Sequence, residues 1–476
     1  MSMQSCFCKT TLVVLFTVLV VVNGLSQSLS SLMEDWTKAP SFQGATIGLS
    51  VRDLSSDALF FDHNGSANLC PASSLKTITT GMALQELGPS YTYQTVLSLI
   101  VEEGDTCLVL QGSGDPTLGS MRFDQQANGQ EVLYKLLDEL LLTTNASAIK
   151  RIYFDPGEWS FDPIPLDYGY EDLGQYYGAV AHSINLDENV LRAYLKREEN
   201  DKTPWALELV PNIAAQFDTI FYDVTDASTS SLDIRYPVGT KALSVHGEMK
   251  HGYWRMRVEA ALHHPEYAAL YILQEKLRAM GNEEVTLGNF QEKDQHVYLR
   301  KSIHESPALL DIARQTNTWS INVFADALMK TMLINAGLKT PQEMIEYYSR
   351  VHGIQSPQCR IMDGSGLSRS NIISANQMTQ LVNHFAQYET NSTFQQSLTV
   401  LGEEGTLEEL VPKNSPAVGR VFAKSGGLTG VLSYTGLVHT NKGKWLSFSL
   451  IINNHVDSNA NLRLYIDRFF ETLIAL

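Results

Sequence analysis

Strand-like runs stand at both ends of this 476-residue chain with helical patterns between them, and that arrangement constrains the fold most. Ala45–Val51 (ATIGLSV) and Ala58–Asp62 (ALFFD) read as two strands joined by a polar turn at Asp53–Asp57. Near the other end Gly419–Lys424, Val431–His439 and Trp445–Asn453 read as three more, with turns at Gly426–Gly430 and Asn441–Gly443. An amphipathic helical pattern follows at Ala460–Ile474. Strands at the two termini can bury a common face only by pairing with one another. The pattern therefore predicts an α+β fold (α/β in the broad sense), with one antiparallel sheet assembled from both ends and flanked by helices.

The stretch between differs in kind. From 91 to 300 short strand-like runs such as Cys107–Gln111 and Arg151–Phe154 alternate with Gly, Pro and Asp turns, and Tyr267–Met280 reads as a helix. This reads as an inserted region of mainly β/α character with its own core, comprising two nested subdomains. Helices resume at Ala308–Arg314 and Ser320–Ala336. The expected organisation is a leader at 1–26, a split domain at 27–90 and 301–476, and the insertion at 91–300. In the leader, Lys9 precedes an apolar run from Thr11 to Val22, and small residues follow. That is the pattern of a secretory signal peptide cleaved between Gly24 and Gln27. An uncleaved anchor is the alternative, but the run is short for a span of about 20 residues. A secreted or periplasmic protein is expected, with at most loose membrane association.

Charge and cysteines exclude several classes. The net charge is −17, and losing the leader with its one charged residue, Lys9, brings it to −17 − 1 = −18. Such a surface repels nucleic acid and anionic lipid, so no nucleic-acid partner is expected. Beyond the leader only Cys70, Cys107 and Cys359 remain, so at most one disulfide can form. Cys70 reads as a small buried residue rather than a reactive thiol. No His/Cys/Asp grouping has metal-ligand spacing, and no metal or cofactor is expected. N-x-S/T triplets at Asn64, Asn145 and Asn391 matter only in a eukaryotic secretory pathway.

Three short elements carry the chemistry. Ser73-Ser74-Leu75-Lys76 is an S-x-x-K at the start of a predicted helix opened by Pro71. Positions i and i+3 share a helix face, so Lys76 can reach the Ser73 hydroxyl. Ser320-Ile321-Asn322 is an S-x-N ahead of a helical run, and Lys424-Ser425-Gly426, followed by Gly427, is a K-S-G ending a predicted strand. Singly, each is weak. A second S-x-x-K occurs at Ser147–Lys150, and Ser66, Ser183 and Ser374 open other S-x-N triplets. A capping serine or a solvated lysine explains any one of them. Together, in this order and on these elements, they form the signature of penicillin-recognising serine enzymes.

Further segments narrow the resemblance: Pro71-Ala72-Ser73, Gly114-Asp115-Pro116-Thr117-Leu118, Trp159, Tyr170-Glu171-Asp172, Tyr176-Tyr177-Gly178 and Asp363-Gly364-Ser365-Gly366-Leu367-Ser368-Arg369. With the 320 − 76 − 1 = 243 residues between Lys76 and Ser320, the mature chain resembles the low-molecular-mass class C penicillin-binding proteins, which are D-alanyl-D-alanine carboxypeptidases and endopeptidases. Ile321 and Ser425 depart from the commoner polar residue and threonine, without removing a catalytic group. The resemblance implies a penicillin-binding, β-lactamase-like domain acting on peptidoglycan stem peptides that end in D-Ala-D-Ala, with β-lactams as covalent inhibitors. Ser73 is then the nucleophile and Lys76 the base, made neutral by burial and by the nearby Lys424. Ser320 relays a proton to the leaving group, and Asn322 holds Lys76 and the substrate amide. The N–H groups of Ser73 and Gly427 form the oxyanion hole. Lys424, Ser425 and Gly426 receive the substrate's terminal carboxylate and backbone. Arg369 and Asp172 either read the side chain before D-Ala-D-Ala, or form a structural pair or part of a solvated surface. Gly364 and Gly366 serve a tight turn. A β-lactamase and a non-catalytic peptidoglycan-binding protein on the same fold are the alternatives.

Overall fold

The computed structural model describes residues 28–123, 127–159, 164–197, 205–213, 217–235, 240–290, 297–355, 358–386 and 393–476. The expected leader, its cleavage window and Asn391 lie outside those residues. The two ends of the chain share one six-stranded antiparallel sheet, in the order Thr399–Val400, Val421–Leu428, Val431–His439, Trp445–Asn453, Thr46–Asp53, Leu59–His63. Its closure is the pairing of Thr46–Asp53 with Trp445–Asn453, running from Thr46 opposite Asn453 to Asp53 opposite Leu446. Trp445–Asn453 (WLSFSLIIN) is buried along nearly its whole length, so both sheet faces must be covered.

Helices do this. On one face residues 28–38 and the helix Asn459–Ile474 bring Leu29, Trp36, Phe469 and Phe470 against Phe448 and Leu450. Each of these aromatic side chains is almost fully buried, which contributes about 1.5–3 kcal/mol apiece. The other face carries Lys76–Glu86, Leu309–Trp319, Asn322–Ala336 and Ala375–Ala386, whose core includes Ile78, Phe324, Leu328 and Leu381. Among the described residues no helix is long and apolar enough to cross a membrane. Cys70, Cys107 and Cys359 are free thiols, and Cys70 is buried against Ala72 and Val431.

The middle of the chain builds separate sheets. A five-stranded mixed sheet runs Thr286–Asn289, Ile149–Asp155, Asp105–Gln111, Gln94–Glu102, Val297–Glu305. Two further three-stranded sheets lie between residues 190 and 261. The helices Gly129–Leu141 and Pro265–Ala279 pack on the five-stranded sheet through one continuous apolar core.

Two local expectations need correction, and both concern the site. Pro71 does not open the α-helix. Ala72–Leu75 forms a 3-10 turn, and the α-helix starts at Lys76. Lys424-Ser425-Gly426 does not end a strand either. The strand continues to Leu428, with Gly426 opposite Ser433 and Gly427 opposite Leu432.

Candidate active site

The 3-10 turn presents the first serine. Side chains three apart nearly eclipse in a 3-10 helix, so Ser73 and Lys76 still share a face. Ala72 just before it is fully buried with φ +47°, a conformation that costs a non-glycine residue energy and persists only where packing enforces it. The enforcing contacts are visible. The Pro71 carbonyl accepts hydrogen bonds from Ser74 Oγ (2.8 Å) and from Ser433 Oγ on the neighbouring strand. A side chain at Gly426 would meet Ser433 Oγ at 2.3 Å and the Pro71 carbonyl at 2.7 Å. One at Gly366 (φ +84°) would meet the Ala72 carbonyl at 1.9 Å. Glycine at these positions lets a strand and a loop press directly onto the serine turn. The tight turn expected of Gly366 is thus also a close backbone approach.

Lys76 is fully buried, and its amine has three neighbours: Ser73 Oγ at 3.0 Å, Asn322 Oδ1 at 2.6 Å and the Ser365 carbonyl at 2.7 Å. The two carbonyl-type oxygens can only accept. A neutral amine has two N–H donors and one lone pair, so with both donors committed its lone pair faces the Ser73 hydroxyl. Burial pushes the Lys76 ammonium down to about 8, against the pull of Asp326 and Asp363, which favour the charged form. Of the two expected causes burial holds, whereas Lys424 does not act on Lys76: the charges that do are the carboxylates of Asp326 and Asp363, and they oppose the shift. Lys424, also fully buried, is held well below the usual lysine range by burial and then by the charge of Lys76. Its amine donates to the Ser425 carbonyl at 2.7 Å.

The loop 363–368 holds this arrangement in place. Asp363 accepts hydrogen bonds from the Ser365 N–H (2.9 Å) and the Ser368 N–H (2.7 Å), which orients the Ser365 carbonyl. Gly364 donates to Asp326 Oδ1 at 2.8 Å, and its carbonyl accepts from Thr79 Oγ1 at 2.6 Å. Tyr168 donates to Asp326 Oδ2 at 2.7 Å. The Asp326 carboxyl is pushed up to about 6 by burial first and by Asp363 second. The loop 363–368 belongs to a segment that the sequence marks, whereas Asp326, Tyr168 and Thr79, which hold it, were not singled out from the sequence. Asp326 sits inside an apolar helical run (VFADALMK), and only its complete burial marks it.

Above the serine lies a cleft of about 510 Å³ lined by Ser73, Ser320, Asn322, Gly427, Asp172 and Arg369, among others. Ser320 ends its helix in a left-handed conformation (φ 61°), which turns the chain into the cleft. Asn322 donates from Nδ2 to the Tyr177 carbonyl at 2.7 Å. Six of the ten residues expected at the site therefore line one cleft. Lys76 and Lys424 are buried, and Ser425 and Gly426 lie on the strand beside Gly427, with Ser425 Oγ bonded to Thr406 Oγ1 at 2.9 Å. Among the described residues Arg369 and Asp172 make no direct ion pair. Arg369 donates to the Thr429 carbonyl at 3.1 Å. The Asp172 carboxyl is pushed up by burial, while a Tyr177 hydrogen bond and the charge of Arg369 pull it back. The other S-x-N serines and Ser147 lie outside this lining. Ser374 caps the helix behind it by accepting from the Gln377 N–H (3.2 Å).

A helix-flanked antiparallel sheet carrying a serine, a buried lysine and an asparagine in this contact is the architecture of penicillin-binding serine hydrolases. The family model for the D-Ala-D-Ala carboxypeptidase 3 (S13) family matches residues 26–472. The chain belongs to that family of serine peptidases. It is 26% identical over 436 residues to the D-alanyl-D-alanine carboxypeptidase DacB of Haemophilus influenzae, covering 87% of this chain and 86% of the relative. It is 25% identical to a D-alanyl-D-alanine carboxypeptidase of Actinomadura sp., covering 90% and 81%. The crystal structure of penicillin binding protein 4 from H. influenzae superposes with a TM-score of 0.76 at 23% identity, covering 96% of this chain and 99% of the other, and so shares the fold.

Proposed function

We propose that the chain cleaves the bond between two D-Ala residues at the end of peptidoglycan stem peptides, with Ser73 as nucleophile and Lys76 as its base. The observation that carries this is the Lys76 amine, fully buried and 3.0 Å from Ser73 Oγ, with its donors engaged by Asn322 and Ser365. An amine near pKa 8 can take the hydroxyl proton at neutral pH, which an ordinary lysine near 10.4 does rarely. The alkoxide attacks the carbonyl, and its oxyanion is met by the N–H groups of Ser73 and Gly427. Ser320 passes the proton to the departing amine, Asn322 positions the substrate amide, and water then releases the acyl-enzyme.

Lys424, Ser425 and Gly426 receive the substrate's terminal carboxylate and backbone along the strand edge. An arriving carboxylate favours a charged Lys424, and that charge in turn favours a neutral Lys76. Substrate binding would thus complete the base. Arg369 and Asp172 read the side chain preceding D-Ala-D-Ala, since both line the cleft and make no direct ion pair with each other. A β-lactam presents the same carboxylate and carbonyl and acylates Ser73. The relatives' names, D-alanyl-D-alanine carboxypeptidases and a penicillin-sensitive carboxypeptidase of Dictyostelium discoideum, support the substrate class and the sensitivity. The apolar run Thr11–Val22 supports action outside the cytoplasmic membrane, at the cell wall.

The test is D-Ala release from a stem pentapeptide. Lys76→Met keeps the length of the side chain without the amine and should lower turnover about 10²–10⁴-fold, the usual worth of a positioned base. Turnover close to wild type would remove Lys76 from the mechanism.

A further inference from the structure

A second cavity, of about 450 Å³, shares no lining residue with the Ser73 cleft and lies against the loop that holds Lys76. Its size is in the range that takes a small organic molecule. Met329 and Leu333, from the helix Asn322–Ala336, and Ile361 are buried and give it an apolar floor. Leu166, 73% exposed, stands at its mouth. Nothing in the proposed mechanism uses this cavity.

The buried polar groups of the lining are already committed. Asp326 accepts from the Gly364 N–H and the Tyr168 hydroxyl, and Asp363 from the Ser365 and Ser368 N–H groups. The Gly364 carbonyl accepts from Thr79, and Lys330 Nζ donates to the Ala181 carbonyl at 2.8 Å. A polar body entering here would lose its water and gain no partner, so the floor favours an apolar one. The rim differs, because Lys339 and Arg360 are exposed there. Among the described residues the Arg360 side chain donates one hydrogen bond, from Nε to the Ser370 carbonyl at 3.0 Å. The fork of its two terminal amino groups is left for a carboxylate. Glu343 is the acid whose charge meets Lys339, and its carboxylate is taken up by the Lys339 and Thr340 N–H groups at 2.9 and 3.1 Å. Two cations at the mouth of an apolar cavity, on a chain of net charge −17, select an apolar molecule with an anionic head.

We propose that this cavity binds a small molecule with a medium-length apolar chain and a carboxylate head, and that its binding slows acylation at Ser73. The chain lies against Met329 and Leu333, and the head meets Arg360 and Lys339. The effect on Ser73 rests on the reading of Lys76 as the base, whereas the binding does not. The route is a shared wall. Asp326, Asp363 and Gly364 line the cavity, and the same three hold the loop whose Ser365 carbonyl accepts from Lys76 at 2.7 Å. Asp326 and Asp363 already favour the charged form of Lys76, which cannot take a proton. A further negative charge on their side acts in the same sense and lowers the fraction of Lys76 that is free to accept the Ser73 proton.

The experiment measures binding of octanoate, octanol and octylammonium to the mature protein by calorimetry, then penicillin acylation at pH 7 with and without saturating octanoate. Octanoate should bind saturably and octylammonium at least about tenfold more weakly, the worth of a charge-assisted pair. Combining Arg360→Gln with Lys339→Gln should weaken octanoate by a similar factor, leaving octanol binding and acylation without octanoate unchanged. Leu166→Asp, at an exposed position, should weaken octanoate and octanol alike. Octanoate should slow acylation of the wild type about fivefold, and that of the double variant much less at the same concentration. Equal slowing of both would place the octanoate in the Ser73 cleft and overturn the regulation. An acylation rate unchanged or raised by bound octanoate would do the same. No saturable octanoate binding to the wild type, or octylammonium binding as tightly, would overturn the site. Failure of penicillin to acylate the wild type would overturn the Lys76 reading and the regulation with it, while the octanoate measurements still decide the site.

Discussion

Replacing Asp326 by asparagine should move the pH at which Ser73 becomes reactive. Asp326 is completely buried and favours the charged form of Lys76. Asparagine keeps an oxygen for the Gly364 N–H, and its amide can donate to the Tyr168 hydroxyl, so both present contacts have replacements. What is lost is the negative charge. A nearby opposite charge shifts a titration by about 1–3 pH units, and the lower end applies because Asp363 continues to act on Lys76. Lys76 should then fall from about 8 to roughly 7. The neutral fraction at pH 7 rises from about one in eleven to about one half, so acylation at pH 7 should be roughly fivefold faster, with little change above pH 9.

The assay is stopped-flow acylation by a chromogenic β-lactam between pH 6 and 10. Stability supplies an independent readout. A carboxyl raised from 3.8 to about 6 holds a proton in the folded state that the unfolded chain has already released. Stability therefore falls as pH rises between those values, leaving a deficit of about 3 kcal/mol above them. Asp326→Asn should recover part of that deficit at pH 8 in denaturant titrations. An acid limb that stays in place, or moves to higher pH, would refute the electrostatic reasoning.

Two further substitutions probe the packing and the cleft. Gly366→Ala would put a methyl group 1.9 Å from the Ala72 carbonyl at a left-handed backbone position. It should cost about 2–4 kcal/mol in stability and slow penicillin acylation at least about 100-fold, measured on the folded fraction. Arg369→Ala should weaken turnover of a diaminopimelate-containing pentapeptide about 10–100-fold more than that of a simple acyl-D-Ala-D-Ala, the worth of a charge-assisted pair. Equal losses on the two substrates would assign Arg369 to structure.

Much of the frame was legible in the sequence because its signals are local. Val431–His439 and Trp445–Asn453 have the bounds that their apolar pattern predicts, and the pairing of the first long strand with the last follows from strands at both termini. The motifs were legible as an ordered set, and the structure separates them from their look-alikes by bringing Ser73, Lys76 and Asn322 into contact. What failed depends on distant contacts. Gly426 and Gly427 look like a turn, yet Gly426 lies mid-strand because the Pro71–Ser74 backbone leaves no room for a side chain. Pro71 looks like a helix opener, but packing by the Gly366 loop holds Ala72 left-handed and delays the helix to Lys76. Burial lowers Lys76 as expected, but Lys424 adds nothing to that shift, and the opposing carboxylates of Asp326 and Asp363 come from segments no short window connects. The positions of Asp326 and Tyr168 depend on segments far apart in the chain.

The central claim is that Ser73, activated by Lys76, forms an acyl-enzyme with groups resembling D-Ala-D-Ala. Its most direct test is the intact mass of the mature protein after incubation with penicillin, beside Ser73→Ala. A stable gain of one penicillin on the wild type alone, with the modified peptide containing Ser73, is the predicted result. No adduct while the penicillin remains intact, or an equal adduct on Ser73→Ala, would contradict it. No adduct together with consumed penicillin would instead place the chain among the β-lactamases.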